Sequence, residues 1–173
     1  MTALRLALLD RDGTLNRKAP EGEYVTTPGA LELLPGAAVA VRRLNDAGVP
    51  VAVVTNQRCI ALGRLSEDGL TAIHAALAEL LETVAGARID VFCHCPHERA
   101  ACACRKPQPG LLRRAAAALD VPPSDTVMIG DAASDVEAGR RFGARTVQLT
   151  AGPSAADATA PDLIGAIAGE LAR

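Results

Sequence analysis

The sequence predicts an α/β protein: a three-layer sandwich in which helices cover both faces of a mostly parallel, doubly wound sheet. Short apolar runs rich in Val, Ile and Leu alternate along the chain with longer helical patterns, and turn residues separate them. Such alternation favours parallel strands, because each connecting helix crosses one face of the sheet. The 173 residues suffice for one domain of ordinary size. We therefore expect a single domain over residues 1–173, without a large cap domain.

Most of the predicted strands are apolar runs, as expected for strands that are buried on both faces of a sheet. They cover residues 4–9, 51–55, 89–92, 126–129 and 146–149. The small and polar residues of the segment 151–160 predict a flexible connection after the fifth strand.

Helix start and stop signals lie between these strands. The predicted helices cover residues 36–48, 70–84, 110–119 and 134–143, and a weaker helix begins near Pro161. Ser66 is the predicted N-cap of the second helix, and Gly86 lies just past its end. At the start of the fourth helix, Ser134 and Glu137 fit a capping box.

Composition and charge exclude several classes of protein. Aromatic residues make up only 2% of the chain, so the core must consist of Leu, Val, Ile and Ala. No apolar run is long enough to span a bilayer, and the N-terminus lacks the pattern of a signal peptide. A net charge of −2 argues against general nucleic-acid binding, which needs a basic face. We expect a cytoplasmic monomer that acts on a small molecule, without a nucleic-acid or membrane partner.

The segment Asp10-Arg11-Asp12-Gly13-Thr14 directly follows the first predicted strand. In extended backbone, residues two apart face the same side, so Asp10 and Asp12 can point into one site. Ligands of doubly wound folds bind in the crevice beyond the carboxyl ends of the strands. One carboxylate can then act as a nucleophile or metal ligand while the other transfers protons. Taken alone, the segment also fits an ordinary acidic turn.

Polar residues also follow the other predicted strands. They are Thr55-Asn56-Gln57 after the second, Arg105-Lys106-Pro107 after the third, and Gly130-Asp131 with Asp135 after the fourth. Lys106 is one of only two lysines, against sixteen arginines. Together these segments supply a hydroxyl, amides, cations and carboxylates. Phosphoryl transfer needs such a set: an oxygen nucleophile, a divalent cation with oxygen ligands, and positive charge for the phosphate.

Four of the five cysteines fall within twelve residues, at Cys93, Cys95, Cys102 and Cys104. In a chain without an export signal, such clustering indicates a metal site rather than disulfides. We call residues 93–106 the zinc loop, because a tetrahedral Zn²⁺ would act there as a structural staple. The four soft ligands are either all four cysteines or Cys95, Cys102 and Cys104 with His97, and His94 is a further rival.

The sequence resembles the haloacid dehalogenase superfamily of phosphatases that use an aspartate nucleophile. Four short motifs stand in that family's order: Asp10-x-Asp12-Gly13-Thr14, Thr55, Lys106, and Gly130-Asp131 with Asp135. Each motif is weak alone, but each ends a strand-like run, and together they span most of the chain. The resemblance implies a phosphatase that depends on Mg²⁺.

The resemblance also implies a role for each matching residue. Asp10 would attack phosphorus and form an aspartyl-phosphate, and Asp12 would transfer protons. The implied Mg²⁺ ligands are Asp10, the backbone carbonyl of Asp12, Asp131 and, as a further or outer carboxylate, Asp135. Thr55 and Lys106 would hold the phosphoryl oxygens. Asp135 also fits the first turn of a helix, where an acidic residue is favourable without any catalytic role.

The zinc loop is similar to that of the heptose bisphosphate phosphatases, and the histidinol-phosphate phosphatases share it. This resemblance implies Cys95, His97, Cys102 and Cys104 as the zinc ligands. It also implies removal of the 7-phosphate of D-glycero-D-manno-heptose 1,7-bisphosphate. Histidinol phosphate or another small sugar phosphate is the alternative substrate. A zinc-binding module without turnover is the remaining alternative.

The segment 55–63 departs from the usual pattern of the heptose enzymes. Arg58 and Cys59 stand where those enzymes usually have Ser-Gly, and Leu62 stands where an Arg is expected. This loop helps to hold the distal part of the substrate in that family, so the departure bears on the sugar.

Arg58, Arg64 and Arg105 can clamp a second phosphate, since arginine makes bidentate contacts with phosphate. With Asn56 and Lys106, we take Arg58 and Arg105 as candidate substrate-binding residues. Arg58 and Arg64 also fit a solvated charged loop. A second phosphate suits these arginines better than a cationic histidinol group does.

Overall fold

The computed structural model describes residues 4–173, which contain one six-stranded sheet and five α-helices. The strands are β1 (Leu6–Leu9), β2 (Val51–Asn56), β3 (Val91–Cys95), β4 (Thr126–Gly130), β5 (Arg145–Leu149) and β6 (Ala158–Ala160). The helices are α1 (Ala37–Asp46), α2 (Glu67–Ala85), α3 (Gly110–Ala118), α4 (Ala133–Phe142) and α5 (Leu163–Leu171). None of these helices is both long enough and apolar enough to cross a membrane.

The sheet confirms the predicted α/β class. Its strand order is β3-β2-β1-β4-β5-β6, and every neighbouring pair is parallel. Side chains of β1 alternate between two cores, because successive residues of a strand face opposite sides. Ala7 and Leu9 pack with α1, α2 and α5, whereas Leu6 and Leu8 pack with α3 and α4. The sheet therefore lies between two layers of helices, with one apolar core on each of its faces, and the predicted three-layer sandwich is confirmed.

The strand register brings the polar strand ends together. Leu9 of β1 is level with Val53 of β2 and with Ile129 of β4. The backbone N–H of Asp10 still bonds the carbonyl of Ile129, at 3.0 Å, so Asp10 continues the line of the strand. Because all strands are parallel, the residues after β1, β2 and β4 meet at one edge of the sheet.

Two of the predicted helix signals are confirmed, and one is wrong. Ser66 accepts a hydrogen bond from the backbone N–H of Gly69, and Gly86 ends α2 with a φ of 63°. Ser134, however, does not cap α4, because the N-cap position is Ala132. Ala132 has no side chain that can cap, and its own backbone N–H donates instead to Asp135 Oδ2 at 3.0 Å.

The sequence predicted that the segment 151–160 is a flexible connection. In the structure this segment also contains the edge strand β6. Asp157 Oδ2 accepts hydrogen bonds from both the backbone N–H and the hydroxyl of Thr146, each 2.8 Å long. These bonds hold the segment against β5, where β6 pairs in parallel. Strand β6 has only three small residues, Ala158–Ala160, so no apolar pattern announces it.

Strand β3 begins and ends later than the prediction of residues 89–92. Before it, the backbone N–H of Val51 donates to Asp90 Oδ2 at 2.8 Å, so a side chain rather than a ladder partner satisfies that donor. At its other end, β3 includes His94 and Cys95 because these residues pair with Thr55 and Asn56 of β2.

Candidate active site

Asp10 and Lys106 form a buried ion pair at the carboxyl end of β1. Asp10 is 8% exposed, and Lys106 Nζ donates to its Oδ1 at 2.7 Å. Burial raises the pKa of Asp10 to about 7, against the attraction of Lys106, which lowers it. A nucleophilic carboxylate in this position therefore depends on positive charge nearby.

Three oxygens surround the ammonium group of Lys106. Nζ lies 2.7 Å from Asp10 Oδ1, from Asp135 Oδ1 and from the carbonyl oxygen of Val54. Burial alone lowers the pKa of Lys106, but the carboxylates of Asp10 and Asp135 outweigh it and raise that pKa above its ordinary value. Lys106 therefore carries a charge although its side chain is almost completely buried.

Asn56 fixes the backbone from which Lys106 projects. Its side-chain amide donates to the carbonyl of Lys106 and accepts from the N–H of Lys106, and both bonds are 3.0 Å long. The side chain also lines the cleft above Asp10. The sequence predicted a substrate-binding role for Asn56, and the structure adds a positioning role on Lys106.

Asp12 lies on the same side as Asp10 and is held by three donors. Arg11 Nη2 is 2.9 Å from Asp12, Asn16 Nδ2 donates to Oδ1 at 3.0 Å, and Gln57 Nε2 donates to Oδ2 at 3.0 Å. Burial raises the pKa of Asp12, but Arg11 and the two amides together hold it below its ordinary value. In the absence of substrate, Asp12 is therefore an ionised carboxylate.

Three carboxylates form an acidic cluster beside this pair. Oxygens of Asp10, Asp131 and Asp135 all lie within 4.8 Å of one another. Asp131 Oδ1 is buried and has no hydrogen-bond partner among residues 4–173. Gly13 adjoins the cluster, since a Cβ there would lie 2.5 Å from Asp131 Oδ2. An unpaired oxygen in a set of hard oxygen donors fits a divalent cation such as Mg²⁺.

Asp135 joins the start of α4 to the charge of Lys106. One oxygen contacts Lys106, and the other accepts the bond from Ala132 at the start of α4. Its side chain is almost completely buried. The helix start and the charge of Lys106 therefore depend on the same carboxylate.

Thr55 and Gln57 complete the inner wall. Gln57 Nε2 donates to Thr55 Oγ1 at 2.8 Å as well as to Asp12. The hydroxyl of Thr55 accepts this bond and keeps its own proton to donate to a ligand oxygen. Gln57 was not among the predicted site residues, although it follows Thr55 by two and so faces the same side.

Arginines form the outer wall of a cleft of about 330 Å³, which Asp10 and Lys106 also line. They are Arg58, Arg99 and Arg105. Arg58 Nε is held by both carboxylate oxygens of Glu98, at 3.0 and 2.9 Å. Arg64, the other predicted phosphate clamp, instead lies over the ring of Tyr24, 5.8 Å from its centroid.

Arg99 and Lys18 are cleft residues that the sequence prediction missed. Lys18 Nζ lies 3.1 Å from Asp131 Oδ2. Both residues come from loops, where no periodic pattern shows which side chains face a site. The one available signal for Lys18 was the scarcity of lysine in the chain.

The zinc loop brings four soft donor atoms together at the end of β3. Cys95 Sγ lies 3.5 Å from His97 Nδ1 and from Cys102 Sγ, and 3.2 Å from Cys104 Sγ. His97 Nδ1 is 3.3 Å from Cys104 Sγ. Donors on a tetrahedron around zinc are about 3–4 Å apart, so the geometry fits a closed zinc site.

The two rival ligands lie outside this cluster. Cys93 is buried in the apolar core against α3. His94 Nε2 is 2.7 Å from Glu67 Oε2, on the other side of β3 from the cluster. The four-donor group of the structure is therefore the one that the family resemblance implied.

Sequence similarity to other proteins places the chain in a family. It is 42% identical over 145 residues to the D-glycero-beta-D-manno-heptose-1,7-bisphosphate 7-phosphatase of Rhodopseudomonas palustris, which covers 79% of this chain and 78% of that protein. The chain belongs to the heptose-1,7-bisphosphate 7-phosphatase family. A family member of Mycobacterium bovis, named for the alpha anomer, is 41% identical over 75% of this chain and 68% of its own length.

Solved structures agree with this family assignment. The D,D-heptose 1,7-bisphosphate phosphatase of B. bronchiseptica, solved with magnesium and phosphate, matches with a TM-score of 0.87 and 29% identity over 98% of this chain and 99% of that chain. The HAD-hydrolase-like family model matches residues 103–169. The heptose bisphosphate phosphatase fold thus extends over nearly all of the chain.

Proposed function

We propose that this protein is a phosphatase that removes the 7-phosphate of a D-glycero-D-manno-heptose 1,7-bisphosphate. The observation that carries the proposal is the buried contact of Asp10 with Lys106, 2.7 Å long, beside the carboxylates of Asp131 and Asp135. This arrangement gives a nucleophile, a fixed cation and a cation site in one cleft. The names of the relatives supply the sugar.

In the first half of the reaction, Asp10 attacks the phosphorus of the 7-phosphate. The bond from phosphorus to the sugar oxygen breaks, and an aspartyl-phosphate forms. Lys106 and the hydroxyl of Thr55 hold the phosphoryl oxygens as their negative charge rearranges. Asp12 donates a proton to the departing sugar oxygen, having gained that proton because the anionic substrate raises its pKa on binding.

In the second half, Asp12 acts as a base. It takes a proton from the water that attacks the phosphorus of the intermediate. The acyl phosphate bond breaks, inorganic phosphate leaves, and Asp10 returns as a carboxylate. Asp12 then releases its proton to solvent, because its pKa falls again once the anionic phosphate has left. Gln57 serves both halves, because its amide holds Asp12 and Thr55 in register.

Magnesium fits the acidic cluster, and the buried, unpaired Asp131 Oδ1 supports that fit. Asp10 and Asp131 would hold it, with the backbone carbonyl of Asp12, and Asp135 would stand behind them because it already holds Lys106. When bound, the ion would draw negative charge away from the transferred phosphoryl group. It would also favour the charged form of Asp10, which burial opposes.

Zinc fits Cys95, His97, Cys102 and Cys104 as a structural ion, because four protein donors leave no open position for substrate. The site would staple the loop that carries Arg99 and Arg105. Its thiolate ligands suit a reducing compartment, so we place the protein in the cytoplasm.

The outer wall favours a bisphosphate over histidinol phosphate. Arg58, Arg99 and Arg105 line the same cleft as Asp10 and can receive the second phosphate. Histidinol phosphate would bring a cationic group to this basic wall. The one carboxylate of the zinc loop, Glu98, is already engaged with Arg58.

The test is phosphate release with Mg²⁺ from both anomers of heptose 1,7-bisphosphate and from histidinol phosphate. The native protein should prefer one heptose bisphosphate, and Asp10→Asn should lower kcat by about 10³-fold or more, since it removes the nucleophile. A preference for histidinol phosphate would contradict the substrate. Full activity of Asp10→Asn would contradict the mechanism.

A further inference from the structure

The chain has two lysines, and the fold brings Lys18 to the same cleft as Lys106. Its Nζ contacts Asp131 Oδ2 at 3.1 Å, whereas Lys106 contacts Asp10 and Asp135. The Lys18 side chain is 61% exposed, so it reaches the acidic cluster from the solvent side. The three carboxylates of the cluster therefore contact one buried cation and one accessible cation.

Two cavities meet at Lys18. It lines the cleft of the acidic cluster, and it also lines a cavity of about 270 Å³ under residues 18–25. Asp12 lines both cavities as well. Lys18 therefore shares the walls of both cavities with the residue proposed to protonate the leaving group, while its ammonium group contacts Asp131 of the acidic cluster.

The contact of Lys18 with Asp131 opposes cation binding. Asp131 Oδ1 is free of hydrogen bonds within residues 4–173, but its other oxygen is shared with Lys18. A divalent cation on Asp131 would repel the nearby ammonium group. Lysine is a compact charge on a flexible stem, and this one is exposed enough to change rotamer.

A phosphoryl group on Asp10 is the nearest new anion that Lys18 could reach. Burial lowers the pKa of Lys18, but the contact with Asp131 and the charges of Asp10 and Asp135 outweigh it and raise that pKa. A negative charge on Asp10 therefore already acts on this ammonium group. Lys106 remains confined among three protein oxygens. The accessible lysine is therefore the one that can follow the substrate.

We propose that Lys18 is a movable phosphate-binding residue that neutralises Asp131 before the cation binds and transfers to the phosphoryl oxygens afterwards. The inference rests on the proposed phosphatase function, because it extends the phosphoryl site of that reaction. It adds a loop residue to the phosphate contacts of Thr55 and Lys106.

Calorimetric titration of the full chain, with its zinc retained, tests this. The probes are Mg²⁺ alone, and inorganic phosphate in the presence of Mg²⁺. Lys18→Gln should bind phosphate about tenfold more weakly, since it loses a charge-assisted hydrogen bond. It should bind Mg²⁺ alone about threefold more tightly or better, because the competing cation is gone.

Arg17→Gln is the matched control, since it removes a neighbouring charge whose partner is Glu32, at 2.9 Å, outside the cleft. It should leave both affinities at the native values, and Lys18→Arg should retain phosphate binding. Unchanged phosphate affinity or unchanged Mg²⁺ affinity in Lys18→Gln would overturn the proposal, as would equal losses in Arg17→Gln. These readouts need no sugar, so a native protein that binds both ions but hydrolyses no sugar phosphate would refute the proposed function and not the role of Lys18.

Discussion

At the scale of single residues, the site depends on side chains that hold other side chains. Asp12 receives hydrogen bonds from Asn16 and Gln57, and Gln57 links it to Thr55. Gln57 is almost completely buried, so water cannot replace its amide without disturbing the packing. In the proposed mechanism, one residue that does no chemistry itself therefore positions both the acid, Asp12, and the phosphate-binding hydroxyl of Thr55.

We expect Gln57→Ala to lower kcat about 10- to 100-fold, because Asp12 and Thr55 would lose their common orientation. The protein should remain folded, since Asp12 keeps its bonds from Arg11 and Asn16. Steady-state kinetics with a heptose bisphosphate measure the effect. Gln108→Ala, an exposed glutamine, is the control and should match the native protein. A native kcat in Gln57→Ala would show that Asp12 needs no positioning from it.

Gly13 leaves room for the side chain of Asp131, which belongs to the acidic cluster. It adopts a φ of 93°, and an added Cβ would lie 2.5 Å from Asp131 Oδ2. Gly48 also has a positive φ, of 70°, but a Cβ there would meet no atom within 4 Å. Substitution of Gly48 by alanine therefore measures backbone strain alone, whereas the same substitution at Gly13 also displaces Asp131.

We expect Gly13→Ala and Gly48→Ala to lose similar stability from strain, about 1–2 kcal/mol each. Only Gly13→Ala should also weaken Mg²⁺ binding, by about tenfold or more, because Asp131 must move. Urea unfolding and calorimetric titration with Mg²⁺ give the two quantities. Equal Mg²⁺ affinities in the two variants would contradict the proposed role of Asp131.

At the scale of elements, the zinc loop couples a strand end to the cleft. Cys95 is the last residue of β3 and one of the four clustered donors. Cys104 lies at the other end of the loop, two residues before Lys106. The arginines Arg99 and Arg105 lie within the same loop and line the cleft. An ion at this cluster would therefore fix the outer wall as well as the loop.

We expect His97→Gln to bind less than one zinc ion per chain and to lower Tm by about 5–10 °C, because a structural metal stabilises only the folded state. His94→Gln is the matched control, since His94 lies on the same loop but pairs with Glu67. It should keep its zinc and its Tm. Metal analysis measures the zinc content and thermal unfolding measures Tm. Loss of zinc from His94→Gln, with zinc retained in His97→Gln, would show that His94 rather than His97 is the ligand.

At the scale of the whole molecule, a core almost without aromatic residues still buries a histidine. His74 of α2 is 8% exposed and stacks on Phe92 of β3, with ring centroids 4.6 Å apart. Its Nε2 has no hydrogen-bond partner in the described part of the chain. Burial, assisted by the charge of Arg11, lowers the pKa of His74 to about 3. The folded protein therefore holds a neutral imidazole where the unfolded chain would bind a proton.

The sign of the pH dependence follows from that difference. An unfolded histidine titrates near pH 6.5, so the contribution of neutral His74 is fully present above that pH and is lost as the pH falls toward 3. Between pH 6.5 and 5.5 we expect the free energy of unfolding to fall by about 1 kcal/mol through this residue. His74→Leu should show a correspondingly flatter acid limb in urea unfolding. An identical slope in His74→Leu and in the native protein would contradict the argument.

The fold was largely predictable because its signals are local and periodic. The runs that form β1, β2 and β4 are mostly apolar, and helix caps such as Ser66 are short-range patterns. Strand β6 escaped prediction because it is held by Asp157 on Thr146 rather than by apolar pairing. Ser134 was misplaced as a cap because the backbone of Ala132 uses the Asp135 carboxylate instead.

The sequence by itself determined the parallel sheet, the family, and the strand ends that must meet, since parallel strands bring their carboxyl ends to one edge. Asp10, Asp12, Lys106 and Asp131 follow from that rule and from their motifs. Only the tertiary structure decided which loop side chains face the cleft, which is why Lys18 and Arg99 appear there without a sequence pattern. Their placement depends on how loops cross above the sheet, and loop conformation has no periodicity from which to predict it.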